Sequence, residues 1–217
     1  FSFQPGTALG GNYRGHFLLG GMGMIRAFKM VPDGASFRRQ GEDAVVSEMG
    51  SQVLSSVFGP DGRLYFTLWP PSKVRSSLWA LGAPDEANEE GAEVARLLAS
   101  GLKDKSVREL RRLLGFTDRR VRLEAQFELA MRKDIPALKS AVLDEKEPQL
   151  ARIHGLWGLT QLKYWDRDVF KAMESQDDAE LVAQAARWIG EVGRETNSVD
   201  ECREAVVELL GHASPRV

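Results

Sequence analysis

Residues of matched type return at near-constant spacing through the second half of this chain. Val121, Ala125 and Phe127 are echoed by Ala151, Gly155 and Trp157, and again by Val182, Ala186 and Trp188, at offsets of 30 and 31 residues. A small residue and an aromatic held at such a period mark a helical repeat array. In an array of this kind each helix pair shields its neighbour's apolar flank, and the stack presents a surface. An ordinary helical bundle requires no constant offset. The second half is therefore expected to hold or recognise something, not to perform chemistry.

Capping signals divide that half into helices. A short helix is expected at 93–100, ending at Gly101. Ser106 and Glu109 have capping-box spacing, which predicts a helix over 107–114. Asp118 is the expected cap of a helix at 119–132. The next pair is expected at 135–143 and 148–162, with Pro136 and Pro148 in first turns, where a missing N–H costs little. A third pair is expected at 168–175 and 179–192, the latter capped by Asp178. Ser198 and Glu201 form another capping box before a helix to Leu210, and Ser214-Pro215 opens a further one. Ala125, Gly155 and Ala186 allow close helix approach, and Phe127, Trp157 and Trp188 then fill the space between layers.

The first 83 residues read differently. Short apolar runs at Phe17–Leu19, Met24–Met30, Ala44–Glu48, Val53–Phe58, Leu64–Trp69 and Ser77–Leu81 are separated by turn dipeptides. Asp33-Gly34 and Asp61-Gly62 are hairpin signals, because Gly accepts the positive φ of a tight turn. Both faces of Leu64–Trp69 are largely apolar, so this strand is expected to be buried between layers. Pro70-Pro71 ends it. Regular short strands suggest a propeller, sandwich or barrel. Residues 82–92 are polar and acidic and read as a boundary.

Charge and cysteine content narrow the function classes. The chain carries 29 Lys+Arg against 31 Asp+Glu, a net charge of −2. Residues 1–83 hold eight basic against five acidic side chains, and residues 84–217 hold 21 against 26. Neither half has the basic excess of a nucleic-acid binder. A single cysteine, Cys202, excludes an internal disulfide and reads as a small apolar helix residue. No uncharged run approaches the ~18 residues of a membrane span. The chain starts at Phe1 and stops inside the repeat pattern, so it reads as a piece of a longer protein with its targeting segment elsewhere.

Candidate chemistry is sparse. Arg14 and His16 are the candidate catalytic pair, at a loop–strand junction where they could meet a substrate; the competing reading of His16 is structural. His154 reads as a packing residue and His212 as a solvated one. Three histidines so scattered do not form metal-ligand spacing. Gly10-Gly11 and Gly20-Gly21 read as turns, since no phosphate-loop motif surrounds them. Trp165 is the candidate interaction residue, as an exposed aromatic anchor or as a lid over the array's edge. Arg108, Arg111 and Arg112 read as a solvated helix face.

Two resemblances extend this reading. Asp118-Arg119-Arg120-Val121-Arg122-Leu123-Glu124-Ala125 and Glu147-Pro148-Gln149-Leu150-Ala151-Arg152-Ile153-His154-Gly155 resemble the second helix of HEAT-type repeats. Arg122 and Arg152 take the family's Arg position, and Ala183 interrupts the ladder in the third repeat. Asn12-Tyr13-Arg14-Gly15-His16-Phe17 and Phe58-Gly59-Pro60-Asp61-Gly62-Arg63-Leu64-Tyr65 resemble the last part of a glucose/sorbosone dehydrogenase-type β-propeller, the membrane-bound dehydrogenase domain class. In secreted bacterial proteins of that class, HEAT repeats and often a cytochrome c domain follow the propeller. The resemblance implies PQQ-type sugar oxidation in the parent, with electrons passed to haem, and a periplasmic or extracellular location. The chain departs from the pattern at Leu68, where these proteins usually carry Asp, and at Pro70-Pro71-Ser72-Lys73-Val74-Arg75, which replaces a Gly-rich stretch. Both departures count against ligand binding at this edge. No Cys-x-x-Cys-His is present, so no c-type haem attaches here.

The expected class is α+β. Residues 1–83 would end a β-propeller as partial blades, 84–105 would form an acidic linker with a short helix, and 106–217 would form HEAT-like repeats, the last one truncated. The leading expectation is a non-catalytic C-terminal portion of a secreted sugar-dehydrogenase-like protein. It would bind no cofactor itself, and its repeats would contact a protein partner or neighbouring domain. The rival from another class is a pure interaction scaffold, which Leu68 favours slightly. An accessory protein of the chromophore-lyase kind fits the strand-rich front poorly. If Trp157 is interlayer packing, Trp157→Ala costs about 3–5 kcal/mol in a denaturant titration. A loss below about 1 kcal/mol would remove it from that role.

Overall fold

The computed structural model describes residues 1–48, 50–69, 77–83, 89–194 and 199–217. They form two compact units. One holds Phe1–Asp33, Phe37–Ser100 and Thr117–Arg119, and the other holds Gly34–Ser36, Gly101–Phe116 and Arg120–Val217. Part of the expected linker, Pro70-Pro71 with the segment to Arg75, and the Ser198 cap lie outside the described residues.

The first unit is built from two sheets. β1 (Ser2–Phe3), β2 (Phe17–Gly20), β3 (Met24–Asp33) and β4 (Ser36–Glu48) form a four-stranded sheet in chain order. β5 (Val53–Phe58), β6 (Leu64–Leu68) and β7 (Ser77–Leu81) form an antiparallel three-stranded sheet. Neither sheet closes into a barrel. The six expected strands are present. β3 and β4 run longer than their apolar cores, because pairing across the hairpin supplies backbone hydrogen bonds that propensity does not register. Gly34 takes φ of +60° between them. Helix α1 (Glu89–Ser100) stays with this unit and ends at Gly101, which has φ of +69°.

The core of the unit draws on both sheets. Leu18, Ile25 and Ala27 of the first join Val53, Leu64, Phe66 and Leu68 of the second. At Gly20 a Cβ would fall 2.4 Å from Val53 Cγ1, so β2 meets β5 where only glycine fits. Gln4, 1% exposed, ties down the following loop. Its amide nitrogen donates to the Ala8 carbonyl at 2.7 Å, and its oxygen accepts from the Gly6 amide at 2.7 Å. The expectation that β6 is covered on both faces is corrected. Leu64, Phe66 and Leu68 point inward, but Tyr65 and Thr67 are only half-buried and Trp69 is 60% exposed. No second layer among the described residues covers that face.

The second unit holds α2 (Val107–Leu113), α3 (Arg119–Met131), α4 (Ile135–Leu143), α5 (Gln149–Gln161), α6 (Arg167–Glu174), α7 (Ala179–Val192) and α8 (Val199–Leu209). The boundaries follow the caps. Ser106 and Glu109 make both bonds of a capping box. Asp178 accepts from the Glu180 and Leu181 amides. Asp134 and Asp166, which the sequence reading did not assign, cap α4 and α6 in the same way. Residues 214–217 make a single turn, in which the Val217 amide donates to the Ser214 carbonyl at 3.1 Å.

The helices stack as successive pairs. α4 packs on α5 and α6 on α7, while α4 also lies beside α6 and α5 beside α7. α2 meets α4 and α5 at one end, and α8 meets α7 at the other. Gly155 and Gly158 set the spacing of α4 and α5. A Cβ on Gly155 would stand 3.1 Å from the Leu138 carbonyl oxygen, and one on Gly158 would stand 2.5 Å from Leu138 Cδ2.

The repeat register needs one correction. Val121, Ala125 and Leu129 are inaccessible, as are Ala151 and Leu159, and Gly155 between them is buried. Their counterparts in α7 are Leu181, Ala185 and Ile189, none more than 2% exposed, at a constant offset of 30. Ala186 is only half-buried. The aromatics are therefore not equivalent rungs. Phe127 is 42% exposed, Trp157 is half-buried, and Trp188 is 1% exposed. One residue rotates a position by about 100° around a helix, which carries Trp188 from the rim into the core. There its indole N–H donates to the Tyr164 carbonyl at 3.1 Å, and its ring packs on Trp165 with centroids 5.2 Å apart.

The full cost of aromatic truncation therefore belongs to Trp188. Trp188→Ala is expected to lower the unfolding free energy by about 3–5 kcal/mol, and Phe127→Ala by less than about 1 kcal/mol. Urea unfolding of both variants checks this, and equal losses would restore the equivalence of the two positions.

Candidate functional site

The residues singled out from sequence do not converge. Arg14 Nε donates to the Gly6 carbonyl at 3.0 Å, and its Nη2 lies 3.4 Å from Glu90. His16 sits edge-on to Tyr13, with Nδ1 3.2 Å from the Arg14 carbonyl. Both side chains hold their own loop together. Trp165 is half-buried between Phe170 and Trp188, and its N–H donates to Glu201 at 2.9 Å. Trp165 thus sits among α6, α7 and α8. His212 accepts from the Ser214 amide at 3.0 Å and is half-buried.

A buried polar chain links α3 to α5. Arg122 Nε donates to His154 Nε2 at 3.2 Å. Arginine has no acceptor, so that imidazole nitrogen carries the lone pair and the ring proton sits on Nδ1. Nδ1 lies 2.8 Å from Gln126 Oε1 and donates to it, which leaves the Gln126 amide to donate to Gln161 Oε1 at 3.1 Å. Arg122, Gln126 and His154 are each at most 7% exposed. Arg152 repeats the theme one helix pair on. Its guanidinium donates to the Val142 carbonyl at 2.9 Å and to Gln176 at 2.9 Å. Both arginines therefore bond within the helical unit.

This chain runs from the interior toward a groove on the face formed by α3, α5 and α7. The groove encloses about 240 Å³ and is lined by Trp157, Thr160, Gln161, Gln184, Arg187 and Glu191, among others. Trp157 stands edge-on to His154 with centroids 5.0 Å apart and donates to Gln184 Oε1 at 2.8 Å. Gln184 in turn donates to Glu180 at 2.7 Å. Arg187 and Glu191 pair across one helical turn at 2.7 Å. Phe127 and Met131 lie exposed on α3. An aromatic surface held in place by amides is suited to recognition, since rigid aromatics bring contact area at small entropic cost. The 30-residue pattern marks Phe127 and Trp157 and places them in the interior, whereas Phe127 is exposed and Trp157 half-buried. A period of 30 marks that a position recurs, not whether it faces in or out.

The arginine run on α2 is also divided. Arg111 donates to Asp144 at 2.8 Å and to Glu147 at 3.0 Å, while Arg108 and Arg112 are exposed. Among the described residues, no group of three or more His, Cys, Asp and Glu side chains could hold a metal, and no helix is long and apolar enough to cross a membrane.

The capping box on α2 has a titration signature. The Ser106 hydroxyl and backbone amide hold the Glu109 carboxyl down at about 2. A carboxyl with a lowered folded-state pKa stabilises the fold above its ordinary range and loses that contribution as pH falls. The stability difference between the wild type and Ser106→Ala is therefore expected to be largest above about pH 5 and to shrink toward pH 2. Urea midpoints across that range check it, and a constant difference would separate the cap from Glu109 ionisation.

Comparison of the chain with models of known protein families, with curated proteins and with solved structures finds no match.

Proposed function

We propose that this chain is a non-catalytic binding scaffold whose helices form HEAT-like repeats and hold a protein partner or neighbouring domain. The face of α3, α5 and α7 is the contact surface. The observation that carries this reading is the α3–α5–α7 groove, where Trp157 is fixed by Gln184 and by His154, while Phe127 stands exposed elsewhere on α3. Stacked helix pairs at an offset of 30 support the repeat assignment.

The identity of the parent is a separate proposal. A secreted sugar-dehydrogenase-like protein is supported by the resemblance of residues 12–17 and 58–65, and by the four-stranded sheet β1–β4 in simple chain order, which has the strand count of a propeller blade. PQQ or haem would belong to that parent. Leu68, buried in the core of the strand unit, leaves no carboxylate where the family has one.

Photo-crosslinking tests the scaffold reading. A benzophenone side chain placed at Phe127 or Gln161 of the full-length protein is expected to join one discrete partner or domain, whereas one placed at Arg194 is not. Equal labelling from all three positions would overturn the assigned face. Titration of the full-length protein with PQQ and with aldoses addresses the parent, and failure to bind either removes the dehydrogenase reading while leaving the scaffold intact.

A further inference from the structure

A second concavity lies on α2, away from the groove described above. It encloses about 800 Å³, within the usual size range of small-ligand sites. Arg108, Arg111 and Arg112 line it, together with Glu147 and Pro148 from the connection between α4 and α5. Spacings of three and four residues make Arg111 and Arg112 each a neighbour of Arg108 on the helix surface. Gly115 closes the floor. A Cβ there would stand 3.3 Å from Pro148 Cγ and 3.5 Å from Ala151 Cβ, so the helices meet without a side chain between them.

The charges around the cleft are unevenly engaged. Glu109 is occupied by Ser106 and Lys105. Glu147 and Asp144 are occupied by Arg111, and both bonds leave from Arg111 Nη2. Arg111 Nε is buried with no acceptor. A buried donor without an acceptor costs free energy. The side chains of Arg108 and Arg112 make no hydrogen bond or ion pair with the described residues and stand exposed at the rim. The site therefore offers two open guanidinium groups, with Arg111 and Pro148 beside them.

We propose that this cleft binds a phosphate ester. A phosphoryl group presents three acceptor oxygens and up to two negative charges, which match the two open guanidinium groups better than the single charge and two oxygens of one carboxylate. The ester body would lie over Pro148 and the arginine stems. A small phosphomonoester and a phosphorylated side chain share this chemistry.

Calorimetric titration of the protein with phenyl phosphate, a phosphoserine peptide, inorganic phosphate and benzoate tests the proposal. Phenyl phosphate or the phosphopeptide is expected to bind, with the tighter of the two identifying the source, and benzoate to bind at least about tenfold more weakly. Binding should weaken with added salt. Arg108→Gln/Arg112→Gln, which removes only exposed and unpaired heads, should keep the wild-type melting temperature and lose at least about tenfold in affinity. Should that variant unfold, amide shifts at Ser106 and Gly115 of the wild type during the phenyl phosphate titration report the same site. Absence of binding by both esters, equal binding of benzoate, unchanged affinity in the variant, or shifts confined to other residues would each overturn the assignment.

Discussion

Close contact between successive helices is the constraint on which the helical unit rests. It depends on buried positions spaced four residues apart on α3, α5 and α7, with a small residue at the centre of each: Ala125, Gly155 and Ala185. Interiors are packed as densely as organic crystals, so a methyl group more or less at such a position is felt. Gly155 and Gly158 show the limit, since neither leaves room for a Cβ without displacing Leu138 or Val142. Once that distance is set, each helix pair has only one way to lie on the next.

Polar groups then add direction to a contact that apolar burial leaves unspecific. Arg122, His154, Gln126 and Gln161 form a one-way sequence of donors and acceptors across α3 and α5. Sliding α3 by one turn would strand buried polar atoms, at a cost greater than the net gain of each bond when made. The network thereby fixes register, and it also holds His154 against Trp157 at the groove. Packing and surface are linked through one imidazole.

Much of this was legible. Ser106 with Glu109, Asp178, and Pro136 announced helix starts because capping is a local matter of backbone donors and a nearby oxygen. Strand positions in the first unit followed from apolar runs between Asp-Gly turns. Asp134 and Asp166 cap by the same chemistry and were within reach of the same reasoning. The extent of β4 was not legible, since residues 36–43 carry no apolar alternation and owe their strand to pairing with β3. Candidate function was harder to read. Arg14, His16 and Trp165 looked like chemistry-bearing residues, but each is engaged by its immediate surroundings.

By itself the amino-acid order determined most helix starts, which half is strand and which is helix, and that matched positions recur every 30 residues, because these depend on neighbours within a few turns of chain. Only the tertiary structure decided which recurring residues are interior. Phe127 and Trp188 look alike in the pattern, yet a one-residue shift turns one outward and the other into the core. Likewise Arg111 differs from Arg108 and Arg112 only because Asp144 and Glu147 come within reach of it from 33 and 36 residues away. Exposure and pairing are properties of three-dimensional neighbours, and a periodic code carries no information about which of them arrive.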